Sequence, residues 1–586
     1  MKSFFKNILS TILGILLSFF IVIVVIVSVI AYGFSSVDSN KKITIKNNSV
    51  LKIDLSSLKV MERTNNNPLN NLGSSGEMNK SIELKQVLDN IKKAATDEKI
   101  DAIFIESPSV NAGLSQIEEI RNQLLEFKKS GKKIIAYSEV YSQVAYYLSS
   151  IANKIYLHPE GIVELKGLSA EQIFFTGLFK KLDIEMQIIR HGKFKSAIEP
   201  FTLKKMSKEN RAQMSMLLNS FSKNIMDSIA SQRNFSFKKI MQDANQLNLN
   251  SAINCLNENY VDGLIYQDQV EEELLRITET EKLNIVDLIK YTKTPDKKSI
   301  SKDKIAIIYA TGSINSGKGD EESIGSKTTS AAIKKARKDK NIKAIVLRVN
   351  SGGGSALASD VILREAILAK KEKPFVVSMG DYAASGGYYI ACAADSIVAN
   401  PTTLTGSIGV FGMIPNMKNF YKNKLGITFD TVNTAKYADM GINRALTNYE
   451  RKKIQESVEG IYDSFITHVS NGRMMTKNEV DNIGQGRVWT GYDAKNIGLV
   501  DVYGGIYKAI EIAALLSKIE DYRIVSMPEK KDPFEDILSN FSENNSSFSK
   551  LILNKIGLIS NKTNSIEDIM SYDHIQARIP YEIDLK

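Results

Sequence analysis

Apolar and polar positions follow distinct rhythms in different parts of the chain. Residues 8–32, ILSTILGILLSFFIVIVVIVSVIAY, carry no charge and are long enough to cross a bilayer as one helix. Lys2 and Lys6 precede this stretch and no A-x-A site follows it, so it reads as an uncleaved anchor. Lys41 and Lys42 on its far side oppose the leading lysines, so charge alone does not orient it. Beyond residue 45 the pattern is that of a soluble protein with no second spanning segment. Short apolar runs at KIAIIYA (304–310), KAIVLRV (343–349), FVVSM (375–379) and SIVA (396–399) predict strands. SALASDVILREAILAKK (355–371) has helical spacing between two of them, and this alternation predicts an α/β fold with a mainly parallel sheet. After Met440 the spacing turns helical, as in NYERKKIQESVEGIYDSFITHVSN (448–471), and SKENRAQMSMLLNSFSKNIMDSIASQ (207–232) repeats that run.

The echo is general. IKKAATDEKIDAIFI, from Ile91, aligns without a gap on IKKARKDKNIKAIVL, from Ile333, an offset of 242. At the same offset Tyr146 and Tyr147 fall on Tyr388 and Tyr389, and Pro159 on Pro401. Further on, NYVDGL from Asn259 resembles IGLVDV from Ile497. Two homologous domains in tandem are therefore expected. The predicted division is a start, anchor and short linker at 1–45, a first repeat at 46–289 and a linker at 290–303. A second repeat follows at 304–528, then a loosely ordered tail at 529–586. The polar stretch TNNNPLNNLGSSGEMNK (64–80) reads as an exposed loop.

Composition narrows the function classes. A chain of 586 residues is too long for one ordinary core, and 43% hydrophobic with 24% charged residues is globular. The net charge of +10 is spread widely with no basic block, which argues against nucleic acid and for an anionic membrane surface. Cys255 and Cys392 are far apart and read as buried thiols. Neither they nor His158, His191, His468 and His574 show a metal-ligand spacing, so no metal or cofactor is expected.

The candidate chemistry lies where the repeats differ. In GDYAASGGYYIACAAD (380–395), Ser385 corresponds to Gln143, and Gly386 and Gly387 to Val144 and Ala145. NSGGGS (350–355) corresponds to PSVNAG (108–113), so Gly352, Gly353 and Gly354 face Val110, Asn111 and Ala112. A serine after a tight turn, at the start of a helix, sits at the positive end of the helix dipole. The amide of Gly386 can face a developing oxyanion, and a glycine loop lets a second amide approach: Gly354, with Gly353 next. No histidine lies near Ser385, so the base must come from elsewhere. HGKFKSAIEPF (191–201) follows a strand-like IEMQIIR in the first repeat, and its counterpart is TAKYADMGINR from Thr434. There Lys193 faces Lys436 but Lys195 faces Ala438. Each repeat thus lacks what the other keeps, which predicts one composite site. A lysine acts as general base only as a neutral amine, which needs burial away from carboxylates. Phe194, Ala197, Ile198 and Phe201 fit such burial, provided Glu199 points elsewhere. His191 is a rival base with a more convenient pKa. Both stretches also fit a plain alternative, a strand-to-helix loop and a solvated lysine.

Together the anchor, YSQVAYYLSSIANKIYLHPEG (141–161), KSAIEPF (195–201), RVNSGGGSA (348–356), GDYAASGGYYIA (380–391), NPTTLTGSIGVFG (400–412) and GRVWTGYDAKNIGLVD (486–501) carry a resemblance. They resemble the signal peptide peptidase A (protease IV) family, peptidase family S49, in its long duplicated form. The resemblance implies tandem Clp-protease/crotonase-like domains and a Ser–Lys dyad, with Ser385 as nucleophile, Lys195 as general base and Ser407 orienting the lysine amine. It also implies a bowl, usually a homotetramer, tethered to the bacterial inner membrane with its catalytic domains on the extracytoplasmic side. Its substrates would be hydrophobic signal peptides. The family's oxyanion loop usually reads SPGG, whereas this chain has Ser351-Gly352-Gly353-Gly354. Two other classes fit part of the pattern: a crotonase-like acyl-thioester enzyme, and an inactive membrane scaffold.

Overall fold

Continuous apolar runs, rather than alternating ones, become the central strands of two parallel sheets, because both faces of such a sheet are covered. The computed structural model describes residues 6, 10–18, 20–21, 43–64, 80–295, 299–530 and 575–578. Most of the predicted anchor, the stretch 65–79 and most of the region after 530 lie outside the described residues. Among the described residues no helix is long and apolar enough to cross a membrane.

In the first repeat the strand order is Gly263–Leu264, Lys154–Val163, Lys133–Tyr141, Ile100–Ile105, Ser49–Ile53 and Asn284–Asp287, all parallel. The second repeats that order with Val502–Tyr503, Ser396–Ala399, Phe375–Ala384, Ile342–Ser351, Lys304–Thr311 and Arg523–Met527. Helices match likewise: Leu84–Thr96 with Ser326–Lys338, and Leu114–Lys128 with Ala356–Lys370. Each repeat also has a 26-residue helix, Lys208–Arg233 and Asn448–Arg473. Ser207 and Thr447 cap their starts, and each ends on a residue in the left-handed region, Asn234 and Met474.

The repeats do not close separately. One apolar cluster takes in Leu51, Ile103 and Ile134 of the first and Ile307, Val346 and Val376 of the second. Ile506, Ile510 and Ala513 of the helix Ile506–Ser517 belong to the same cluster. A third sheet joins the two along its edge: Glu185–Arg190 of the first repeat pairs antiparallel with Phe411–Asn416 of the second, Arg190 opposite Phe411. The rest of that sheet is Ser323–Gly325, Ser313–Asn315, Gly353–Ser355 and Ile575–Arg578. The last strand lies within the region expected as a loosely ordered tail. Its backbone partners are strand edges hundreds of residues upstream, which a local pattern does not reveal.

A buried charge cluster pins the repeats together. Arg348, fully buried, donates to both carboxylate oxygens of Glu62 at 2.8 Å and to Glu119 at 2.7 Å. It also donates to Ser378 Oγ at 2.8 Å and to the carbonyl of Met379 at 3.1 Å. Asp381 beside it accepts from the Ser115 amide at 2.8 Å, and burial pushes its carboxyl up to about 6. Removing the cation from such a cluster leaves buried carboxylates without a counter-charge, which typically costs about 3–5 kcal/mol. Arg348→Ala is therefore expected to lower the urea midpoint of the whole chain. An unchanged midpoint would show that the cluster contributes nothing to holding the repeats together.

Candidate active site

The strand Phe375–Ala384 runs straight into Ser385, and the helix Gly386–Ala391 starts immediately after it. To make that turn Ser385 takes φ 55° and ψ −114°, a conformation a non-glycine residue enters at a cost of about 1–3 kcal/mol. It is held there by its own backbone. Its amide donates to the carbonyl of Gly406 at 2.8 Å, and its carbonyl accepts from Tyr389 at 2.8 Å. The side chain has no exposed surface.

Lys195 meets it from the other repeat. Its Nζ lies 2.8 Å from Ser385 Oγ, 3.0 Å from Ser407 Oγ and 3.3 Å from the Ser407 carbonyl. The lysine is fully buried, and that burial alone holds its amine well below the ordinary value of 10.5. The nearby carboxylate is turned away: Glu199 accepts from Ser207 Oγ at 2.6 Å and from Asn210 Nδ2 at 2.9 Å. Ala197 and Ile198 are buried with Phe411, as the sequence pattern suggested. The two phenylalanines expected beside them are placed differently. Phe194 is half-buried under the Arg487 guanidinium, 5.0 Å from its ring centre, and Phe201 stacks on Phe175 at 6.1 Å. The ring of His191 lies flat against Tyr462, centroids 3.8 Å apart, rather than reaching the serine. The proposed counterpart from Thr434 forms no strand and is largely exposed.

Ser407 also has positive φ, 50°, and its amide donates to the Arg487 carbonyl at 2.7 Å. That second-repeat loop, 485–487, is the part the sequence reading missed. Gln485 accepts from the Phe194 amide at 3.0 Å. Gly486 is at φ 82°, and a Cβ there would lie 2.7 Å from Lys195 Cβ. Only glycine combines this conformation with so close a seat for the lysine. The signal was present as the glycine of GRVWTG, but nothing local ties it to residue 195.

The glycine loop lies against the same helix start. A Cβ on Gly353 would be 2.7 Å from the Gly386 amide nitrogen, so the two backbones are in contact. As the first residue of its helix, Gly386 has no intrahelical acceptor for its N–H. The Gly353 amide is engaged by Ser351 Oγ at 3.1 Å. Gly354, at φ 157°, lies between Ile314 on one side and Ala577 on the other. Chemically, this is a hydroxyl beside an amine whose pKa burial lowers, with backbone amides close to it.

The chain is similar to known proteins. The model of Peptidase family S49 matches residues 126–280 and again 367–520, once in each repeat. The chain is 35% identical over 543 residues to Protease 4 of Salmonella typhi, covering 89% of this chain and 87% of that protein. It is 35% identical over 480 residues to the chloroplastic serine protease SPPA of Arabidopsis thaliana, covering 79% of this chain and 70% of that one. Among solved structures, a ClpP1 mutant from Listeria monocytogenes aligns with a TM-score of 0.23 at 13% identity, over 35% of this chain and 94% of that chain. The doubled family match and relatives that span most of the chain show it to be a serine protease of peptidase family S49.

Proposed function

We propose that the chain is a membrane-tethered endopeptidase working through a Ser–Lys dyad, with hydrophobic signal-peptide segments as substrates. The observation that carries this reading is the buried 2.8 Å contact between Lys195 Nζ and Ser385 Oγ, with no carboxylate beside the amine among the described residues. Lys195 takes the Ser385 proton as Oγ attacks a peptide carbonyl, and returns it to the leaving amine. Water then attacks the acyl-enzyme, with Lys195 again as base. Ser407 orients the amine from 3.0 Å. The amides of Gly354 and Gly386 face the oxyanion, while Gly353, held by Ser351, shapes the loop. No metal or cofactor enters these steps. The anchor at 8–32 would place the catalytic repeats on the extracytoplasmic face of a bacterial inner membrane, as a homotetramer, where hydrophobic peptides are concentrated. A thioester enzyme or a scaffold would need neither Ser385 nor Lys195, and the assembled pair favours the peptidase.

In detergent, the full chain is expected to cleave a hydrophobic signal-like peptide and to react with a fluorophosphonate. Ser385→Ala should lose about 10³-fold or more of kcat/KM and the label. Equal cleavage by both would assign the chemistry to another group.

The lowered pKa of Lys195 sets the pH dependence. The neutral amine is the base, so kcat/KM should be full at alkaline pH and fall as pH drops through the folded-state value. Lys195→Arg, charged throughout, should be inactive over the whole range. Stability follows the same sign: below the ordinary 10.5 the unfolded chain binds a proton the folded chain resists, so folding weakens as pH falls toward the lowered value. Lys195→Met is accordingly expected to melt no lower than the parent at neutral pH. A clear drop in Tm would show that the buried amine is not held at a cost.

A further inference from the structure

Duplication gives this chain two copies of the loop that faces the helix start, and their outer edges differ. In the second repeat Gly354 lies between Ile314 and Ala577. The first repeat keeps the inner edge, where the Val60 amide donates to the Asn111 carbonyl at 2.9 Å. Its outer edge is open. Among the described residues, neither the amide nor the carbonyl of Ala112, the counterpart of Gly354, takes part in a hydrogen bond.

Beside that edge lies a cavity of about 350 Å³, within the roughly 300–1,000 Å³ that ligand pockets occupy. Val60, Val110, Leu114, Ile117, Val144 and Phe221 line it. Four of them stand where the second repeat has smaller or polar residues: Val110 for Gly352, Leu114 for Ala356, Ile117 for Ser359 and Val144 for Gly386. The first repeat has thus built an apolar wall without filling the space. The polar groups around it are engaged or wet. Asp381 accepts from the Ser115 amide at 2.8 Å, Thr402 Oγ1 donates to Glu118 at 2.5 Å, and Lys59 and Asn111 are exposed. The unfilled part therefore favours apolar groups.

The cavity is also close to the dyad. Tyr382 and Leu404, both in its lining, are cross-strand partners. Each precedes a residue of the site, Ser385 or Ser407, by roughly 10 Å of strand. Phe221 and Leu404 share an apolar cluster with Ala384, the residue before Ser385.

We propose that the first repeat has kept a cleft without the chemistry, as a docking subsite for an apolar stretch of the peptide substrate. This rests on the peptidase reading of the neighbouring site. The peptide adds as an extended strand along Ala112 and seats apolar side chains in the cavity. Its main chain supplies affinity and the pocket supplies selectivity. An acyl chain would use the walls but not the open backbone edge, and that edge is what favours a peptide. The subsite holds substrate away from the scissile bond, so it acts only on substrates long enough to reach both places.

The test uses the full chain with Val110→Trp, which fills the cavity, and with Val144→Asp, which charges its wall. A substrate of about 12 residues with a leucine-rich half, roughly 40 Å when extended, is compared with one of about 4 residues. The short one reaches only roughly 7 Å to either side of its scissile bond. Both variants should raise KM for the long peptide about 10-fold, at unchanged kcat and Tm, and leave KM for the short one alone. On a Ser385→Ala background, adding Val110→Trp should weaken binding of the fluorophore-labelled long peptide about 10-fold by anisotropy, a readout that needs no cleavage. That weakening without any cleavage by the parent would uphold the subsite and remove the peptidase reading. Cleavage with KM unchanged in both variants would overturn the subsite and leave the peptidase. An equal rise in KM for long and short peptides, or a fall in Tm in both variants, would also overturn it, as would binding of decanoate but not of the peptide. A change in oligomeric mass would do the same, by making the cavity a seat for another copy of the chain.

Discussion

An ammonium ion is costly to bury without a counter-charge, and among the described residues none lies beside Lys195. That constraint organises the site. The fold must bring the lysine stem into a fully enclosed position, keep Glu199 occupied with Ser207 and Asn210, and offer the amine only hydroxyl and carbonyl oxygens. Each requirement is met by a different part of the chain. The strand pair between Glu185–Arg190 and Phe411–Asn416 fixes where the lysine loop begins, and the 485–487 loop closes over it. The result is an amine whose pKa burial lowers, 2.8 Å from the Ser385 hydroxyl.

The same molecule treats another buried charge in the opposite way. Arg348 is as deeply buried as Lys195, yet two carboxylates and two further acceptors surround it. Lys195 meets only hydroxyl and carbonyl oxygens, whereas Arg348 is saturated by carboxylates and fastens the repeats. Both connect the first repeat to the second, so the reactive geometry and the joint between repeats stand or fall together.

Duplication explains how one chain came to hold a site that neither half could build. The first repeat has Gln143 where the second has Ser385, and that glutamine accepts from the amides of Lys166 and Gly167. In the first repeat the position anchors backbone instead. The second repeat kept the strained turns, Ser385 and Ser407 both at positive φ, and packs the lysine loop of its twin against them. Strain of this kind persists because the surrounding sheet and loop leave the backbone no alternative.

The sequence by itself determined the strand–helix alternation, the doubled architecture, the serine at its turn and the glycines beside it. These follow from local periodicity and from comparing one half with the other, and neither depends on distant contacts. Tertiary structure placed Lys195 beside Ser385 and His191 against Tyr462, because burial and distance to Ser385 arise across 190 positions of chain. It also set Phe194 against Arg487 and Phe201 against Phe175, recruited Gly486 as the floor of the lysine site, and paired Ile575–Arg578 with the glycine loop. Apolar residues in a short segment state that something will be buried, but not against what. Which neighbour covers a side chain, and so whether an amine keeps its proton, is fixed only when remote strands meet.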